Sequence, residues 1–312
     1  MGRALVSGGA GFIGSHLCDA LVASGWHVTV VDDLSTGRRE NIASLLSHHR
    51  FAFIHSDIRR PIAWTGDLVF HLASPASPVA YSKARLETLT INAHGTLQML
   101  ELARRTGARL VLASTSEVYG DPEEHPQRET YAGRVDPLGP RACYDEGKRY
   151  AEALVVAAVH EWGLDARIAR IFNTYGPRMQ PDDGRVVVSF ITALLEGRPL
   201  RIYGDGLQTR SLCYIADLVG GLIRLAEVPG LAGEAVNLGN PDERTVLQIA
   251  DAVQRAAGRT ARLVHLPPQP GDPQRRRPDI TKAQRLLGWT PAISLEDGLR
   301  HTWQWYAAHV AV

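Results

Sequence analysis

The sequence predicts an α/β protein built on a doubly wound parallel sheet, with a smaller C-terminal lobe. Three observations predict it. Short apolar runs alternate with amphipathic stretches of helical length. Those runs are continuous rather than alternating, as strands covered on both faces are. A glycine-rich turn follows the first run directly. In chain order, residues 4–6 form a strand and 12–22 a helix with helical apolar spacing. Strands follow over 27–31, 51–54 and 68–72. A long helix covers 88–105, a strand 110–113, a second long helix 144–161 and a sixth strand 166–172. Beyond residue 176 the pieces shorten: helices over 186–196, 215–227 and 246–256, and a strand over 201–203. We therefore expect a nucleotide-binding domain over 1–175 and a smaller substrate-binding lobe over 176–312, with some later segments returning to the sheet. Two proline-rich stretches, 121–141 and 266–278, read as long ordered loops.

Composition narrows the class. The chain has 312 residues, 45% hydrophobic and 21% charged, which excludes a disordered chain. Lys+Arg 34 against Asp+Glu 33 leaves a net charge of +1, so nothing electrostatic points to nucleic acid or an anionic membrane. No apolar run reaches the ~20 residues that a membrane helix needs. The start, MGRALVSGGAGF, lacks a basic-then-apolar signal layout. Cys18, Cys143 and Cys213 are widely spaced and odd in number. That argues against a disulfide framework or zinc site and for a reducing cytoplasm. No His, Cys and carboxylate set has metal-ligand spacing.

The turn SGGAGFIGSHL sets Gly8, Gly11 and Gly14 three apart between a strand and a helix. Glycines permit the tight turn and let backbone N–H groups approach a pyrophosphate, and the positive helix end favours the anion. A bare glycine triplet is weak, because such turns are common; its context supplies the specificity. Asp32 ends the second strand, 18 residues after Gly14, where a carboxylate accepts hydrogen bonds from both ribose hydroxyls. Its charge repels a 2′-phosphate, which favours NAD over NADP. Arg38 and Arg39 just downstream could serve a phosphate, or simply open a solvated helix.

In YDEGK, Tyr144 and Lys148 lie one helical turn apart and share a face. A free phenol has a pKa of about 10. A nearby ammonium should lower it and suit the pair to taking a proton from an alcohol. Alone, this spacing is cheap. Here ASTSE, residues 113–117, follows the fifth strand, where ligands of doubly wound sheets bind. That places Thr115 to hydrogen-bond a reacting hydroxyl; turn chemistry is the alternative for Thr115 and Ser116. His71 reads as a packed core residue, and Cys143 lacks an activating partner.

GGAGFIG, the strand-end Asp32, the S-T-x-x-V-Y-G run over 114–120, YDEGK and FNTYGPR resemble, in order, the extended short-chain dehydrogenase/reductase family. The resemblance spans essentially the whole chain. It implies a Rossmann domain holding NAD through Gly8, Gly11, Phe12, Ile13, Gly14, Asp32, Asp33, Ser35, Thr36, Asp57, Ile58 and Leu72, with Thr115, Tyr144 and Lys148. HLASPASP, LASTSEVYGDP, GPRACYDEGKR and RRRPDITKA are similar to the branch that decarboxylates nucleotide uronates. Sugar-nucleotide 4,6-dehydratases carry Asp-Glu after the threonine, and 4-epimerases usually lack the Glu; this chain has Ser116 and Glu117.

The reaction so implied is NAD-dependent decarboxylation of UDP-glucuronate to UDP-xylose through a 4-keto intermediate, the cofactor being restored in each turnover. Tyr144, Lys148, Thr115, Ser116, Glu117 and Arg276 would be catalytic; Asn173, Arg185, Tyr203, Arg210 and Arg276 would hold the UDP-sugar. Water held by Glu117 or Ser116 would protonate C5. Of the run Arg275–Arg277, a solvated basic stretch on charge alone, one member, Arg276, would grip the sugar. Family members dimerise through two long helices, here 88–105 and 144–161, where Leu97, Leu100, Leu154 and Val155 are the candidate apolar positions. Thr90 and Ala132 replace a common Lys and Trp, both expected near the sugar or cofactor. A nucleotide-sugar 4-epimerase, a 4,6-dehydratase and a non-catalytic NAD-sensing module remain the alternatives, and neither UDP-galacturonate nor thymine in place of uracil is excluded.

Overall fold

The computed structural model describes residues 2–268 and 274–310. Positions 269–273 of the second proline-rich stretch lie outside the described residues. Strand β1 (Arg3–Ser7) leads through the glycine turn into helix α1 (Phe12–Ala23), followed by β2 (His27–Asp32), β3 (Phe51–His55) and β4 (Leu68–His71). Next come α2 (Pro78–Lys83), α3 (Arg85–Thr90), α4 (Thr96–Thr106), β5 (Arg109–Thr115), α5 (Ala142–Trp162) and β6 (Ala166–Ile171). The C-terminal half adds β7 (Thr174–Tyr175), α6 (Val186–Leu195), β8 (Leu200–Tyr203), β9 (Thr209–Ser211), β10 (Cys213–Tyr214), α7 (Ile215–Glu227), β11 (Ala235–Leu238), β12 (Glu243–Thr245), α8 (Val246–Ala257), β13 (Leu263–Leu266), α9 (Thr281–Leu287) and α10 (Leu295–His309).

Seven strands form one parallel sheet in the order β11-β6-β5-β4-β1-β2-β3. The order reverses beside β1, and the crevice beyond the strand ends there is where doubly wound folds bind ligands. Because strand side chains alternate, Leu5, Val69 and Leu110 pack on one face with Met99 and Leu100 of α4 and Ala151 and Val155 of α5. Val6, Phe70 and Val111 pack on the other with Leu17 of α1 and Leu218 and Leu222 of α7. That second core runs on into the C-terminal lobe through Ile249, Leu299 and Tyr306.

The long helix expected over 88–105 is not one regular α-helix. It begins at Arg85, passes through a π-helical turn at Ile91–Gly95 and continues to Thr106. Asn92 in that turn is buried, and its amide donates to the Thr88 carbonyl at 2.8 Å and to Ser74 Oγ at 3.1 Å. Apolar spacing does not reveal such a local change of pitch. No helix of the described residues is long and apolar enough to cross a membrane.

Candidate active site

A cleft runs across the carboxyl ends of β1, β2, β4, β5 and β6 and is closed on its far side by residues of the C-terminal half. Its first wall is the glycine turn. Gly8 has φ +74°, a left-handed conformation that favours glycine. A Cβ at Gly14 would collide with the Gly8 carbonyl oxygen and with Gly9 Cα, so the α1 backbone lies directly on the turn. Gly11 caps α1 with no side-chain hydrogen bond, leaving the helix N-terminus open to an anion. Phe12, Ile13, Asp32, Asp33, Ser35, Thr36, Ile58 and Leu72 line the same stretch of cleft. The buried Asp32 carboxylate accepts from the Ala10 and Leu34 amides, each at 2.9 Å. Burial raises its pKa, opposed by those two N–H groups. A tight glycine cradle, an open helix end and a strand-end carboxylate together fit a dinucleotide. Asp57 does not line the cleft; its carboxylate is engaged by Arg59, at 2.6 Å, while its neighbours Ser56 and Ile58 face inward.

The second wall comes from β5 and α5. Tyr144 lies in the first turn of α5, buried, with its ring stacked on Tyr81 of α2. Thr115, the last residue of β5, hydrogen-bonds the Tyr144 side chain, and its Oγ1 accepts from the Glu117 amide at 3.2 Å. Lys148 is buried one turn along, where its ammonium donates to the Ala113 carbonyl at 2.8 Å. The expected acidification of the phenol by Lys148 is not seen. Burial instead pushes Tyr144 up to about 12, against opposing pulls from Arg185 and Thr115. Burial also brings Lys148 down to about 8, and its ammonium lies 6.0 Å from the centre of the Tyr144 ring. Sequence spacing placed both groups on one face but carried no information about desolvation, which dominates here.

Beyond Tyr144 sits a buried charge cluster. Glu117, in the 3-10 turn Ser116–Tyr119, is paired with Arg141 and with Arg276, the latter at 3.3 Å. Arg276 is 1% exposed and also donates to the carbonyls of Ser116 and Gly120. Burial alone would raise the Glu117 carboxyl, but Arg276, then Arg141 and Arg210, hold it below its ordinary value. Glu117 is therefore an anion and has no proton to give. Asp145 is the opposite case: burial and the charge of Glu117 raise it to about 7. Arg141, Asp145 and Tyr81 were not singled out from the sequence. The one available signal for the first two is their place beside Tyr144.

Asn173, Arg185, Tyr203 and Arg210 line the outer part of the cleft, together with Ser116, Glu117 and Arg276. Arg185 donates to the Ala76 carbonyl at 2.6 Å, tying the α6 N-terminus to the loop after β4. Arg275 is exposed and Arg277 only partly buried, so of the three adjacent arginines Arg276 alone turns fully inward. Thr90 and Ala132 do not face the cleft, contrary to expectation. Thr90 Oγ1 accepts from Arg59 at 3.0 Å, and the Ala132 carbonyl accepts from Arg149 at 2.7 Å. His71 is a satisfied core histidine between Ser7 Oγ and Thr96 Oγ1, lowered to about 3 by burial.

This arrangement is that of an enzyme working with a bound dinucleotide, and the chain belongs to the NAD dependent epimerase/dehydratase family, whose pattern residues 4–239 match. Within that family it is 51% identical over 305 residues to UDP-glucuronic acid decarboxylase 1 of Danio rerio, covering 98% of this chain and 72% of that one. It is 51% identical over 297 residues to UDP-glucuronic acid decarboxylase 1 of Arabidopsis thaliana, covering 95% and 68%. Among solved structures, a UDP-glucuronic acid 4-epimerase from Bacillus cereus, in complex with UDP-glucuronic acid and NAD, is similar at 33% identity and TM-score 0.88, over 98% of this chain and 99% of that one. UDP-glucose 4-epimerase of Thermotoga maritima, solved with UDP-glucose, is similar at 31% identity and TM-score 0.89, over 99% and 100%.

Proposed function

We propose that this chain decarboxylates UDP-glucuronate to UDP-xylose. The observation that carries the reading is the buried pair of Arg276 with Glu117, two residues past Thr115, within a chain about half identical to named UDP-glucuronic acid decarboxylases. The glycine turn, Asp32 and Lys148 would hold NAD, which would take the hydride from the sugar C4, place a positive charge in the cleft, and return the hydride to C4 after carbon dioxide has left, so that the product is the 4-hydroxy pentose and the cofactor is restored. With the cofactor's positive charge and the Lys148 ammonium beside it, Tyr144 gives up its own proton to solvent and, as the phenolate, takes the proton of the 4-hydroxyl, which Thr115 orients. Oxidation at C4 leaves a carbonyl β to the carboxylate, and the C–C bond breaks with its electrons flowing into that carbonyl. Tyr144 then donates to the developing enolate oxygen, a preorganised donor aimed at forming charge. A water held at Ser116 and the anionic Glu117 delivers the proton to C5. Arg276, with Asn173, Arg185, Tyr203 and Arg210, binds the UDP-sugar; the planar fork of Arg suits carboxylate and phosphate oxygens.

In this reading residues 1–175 carry the cofactor and 176–312 most of the sugar-nucleotide contacts. The chain works as a homodimer through α3, α4 and α5. Leu100 and Val155 are fully buried in the chain's own core, so the contact falls to exposed Leu86 (79%), Tyr150 (53%) and Val156 (39%). Three buried free thiols suit a reducing compartment such as the cytoplasm. The test is incubation of the purified protein with NAD and either UDP-glucuronate or UDP-galacturonate, with products identified by mass. A UDP-pentose and carbon dioxide from UDP-glucuronate support the reading. A UDP-hexuronate epimer with no carbon lost replaces it with an epimerase.

A further inference from the structure

Beneath the cleft lies a buried polar network to which neither the glycine turn nor the sugar-facing arginines belong. Glu152 stands one helical turn past Lys148 on α5, as Lys148 stands one turn past Tyr144, so the three share a face. The Glu152 side chain is almost fully buried and every oxygen is used. Oε1 accepts from Ser114 Oγ at 2.6 Å and from Arg170 Nε at 3.0 Å, and Oε2 accepts from Arg170 Nη2 at 2.8 Å. Arg170 is fixed in turn by Tyr119 Oη at 3.0 Å and by the Glu129 carbonyl at 3.1 Å, and Tyr119 donates to Asn237 Oδ1 at 2.7 Å. Ser114 precedes Thr115, and the Ala113 carbonyl before it receives the Lys148 ammonium.

A buried ammonium without a counter-charge gives up its proton. The groups that face Lys148 are few. From β4 comes His71, held neutral by burial; from α5 itself come Tyr144, an uncharged phenol, and Glu152. On the π-helical turn and α4, Asn92 packs close to Gly147 and Thr96 hydrogen-bonds His71, and both are uncharged. Facing Glu152 are Ser114 of β5, Arg170 of β6 and Tyr119. Glu152 is thus the one anion acting on Lys148 among these described groups.

We propose that Glu152 is a positioning residue for the reaction: locked by Arg170 and Ser114, its carboxylate keeps Lys148 charged and pressed against the Ala113 carbonyl beside Thr115. This rests on the role given above to Lys148. Replacing the carboxylate by an amide of the same shape leaves Arg170 uncompensated, and both changes favour loss of the Lys148 proton. The alkaline limb of kcat, where Lys148 deprotonates, then moves to lower pH. A purely structural role lowers thermal stability without moving that limb.

The experiment is the pH profile of carbon dioxide release for the wild-type protein, Glu152→Gln and Glu152→Asp with saturating NAD and UDP-glucuronate. Glu152→Gln should shift the alkaline midpoint down by up to about one unit, since the carboxylate acts on Lys148 through space rather than as a contact ion pair, and Glu152→Asp should restore most of the shift. An unmoved midpoint in Glu152→Gln overturns the proposal, as does a Glu152→Asp profile no better than the amide's. If Glu152→Gln fails to fold, the Arg170→Lys variant decides, since it keeps the cation but breaks the fork that locks the carboxylate: a downward shift of the alkaline midpoint supports the proposal, and an unmoved midpoint overturns it. Absence of turnover in the wild-type protein would instead count against the decarboxylase reading itself.

Discussion

The rings of Tyr81 and Tyr144 lie 5.1 Å apart and within 8° of parallel, so the phenol at the centre of the cleft is seated on an aromatic floor supplied by α2. With Cys143 these two residues form a small apolar cluster of their own, apart from both cores of the sheet. That seating is one reason Tyr144 is desolvated and uncharged. Its proton chemistry depends on what binds in front of it rather than on a standing phenolate.

Removal of the hydroxyl isolates that role. Tyr144→Phe keeps the stack and the burial but loses the proton acceptor. Turnover should fall by about 10²–10⁴-fold, while NAD affinity measured by calorimetry stays close to that of the wild type. Unchanged turnover would remove Tyr144 from the mechanism.

Arg276 tests the charge cluster. Arg276→Ala leaves Glu117 with Arg141 as its remaining close partner and opens the carbonyls of Ser116 and Gly120. Carbon dioxide release should drop by about 10²-fold or more, in the range of a lost preorganised cation, with NAD binding intact. Loss of NAD binding in this variant would show that the cluster supports the cofactor rather than the sugar.

Asp145 gives a stability prediction with a definite sign. Its carboxyl titrates near 3.8 when exposed and at about 7 in the fold, raised by burial and then by Glu117. The native protein therefore binds the extra proton between those values. Stability present below pH 4 is lost as pH rises to about 7. Asp145→Asn cannot ionise and escapes that loss, which is on the order of a few kcal/mol. Its melting temperature relative to wild type should be higher at pH 8 than at pH 5; an equal difference at both would show that the carboxyl titrates normally.

The exposed apolar residues of α3 and α5 predict the oligomer. Val156→Glu, alone or with Leu86→Glu, should convert a dimer to a monomer by sedimentation velocity, with little change in melting temperature because both side chains are exposed. A wild-type monomer, or a dimer indifferent to both changes, would place the contact elsewhere.

What was legible in the sequence was local. The path from β1 through Gly8 to α1 occupies consecutive residues, and Tyr144 and Lys148 lie one turn apart, so spacing alone put them together. Arg141, Glu117 and Arg276 meet only because a loop and a strap return to one strand end, across sequence separations of 24 and 159; the family resemblance supplied Arg276 but not Arg141. The short pairings β7–β10, β9–β12 and β8–β13 have too few residues to show a period. Asp57 and Thr90 were drawn off by Arg59, a competitor that no motif displays. The direction of the Tyr144 shift was misjudged because proximity of a lysine is readable from a helix face, whereas burial is not.

The central claim is that C4 must be oxidised before the carboxyl group leaves. UDP-glucuronate and its 4-deoxy analogue should therefore be offered side by side, with NAD, to the wild-type protein, and released carbon dioxide measured. The expected result is release from UDP-glucuronate and none from the analogue, which nonetheless competes for the cleft. Release from the 4-deoxy compound at a comparable rate would contradict the claim outright.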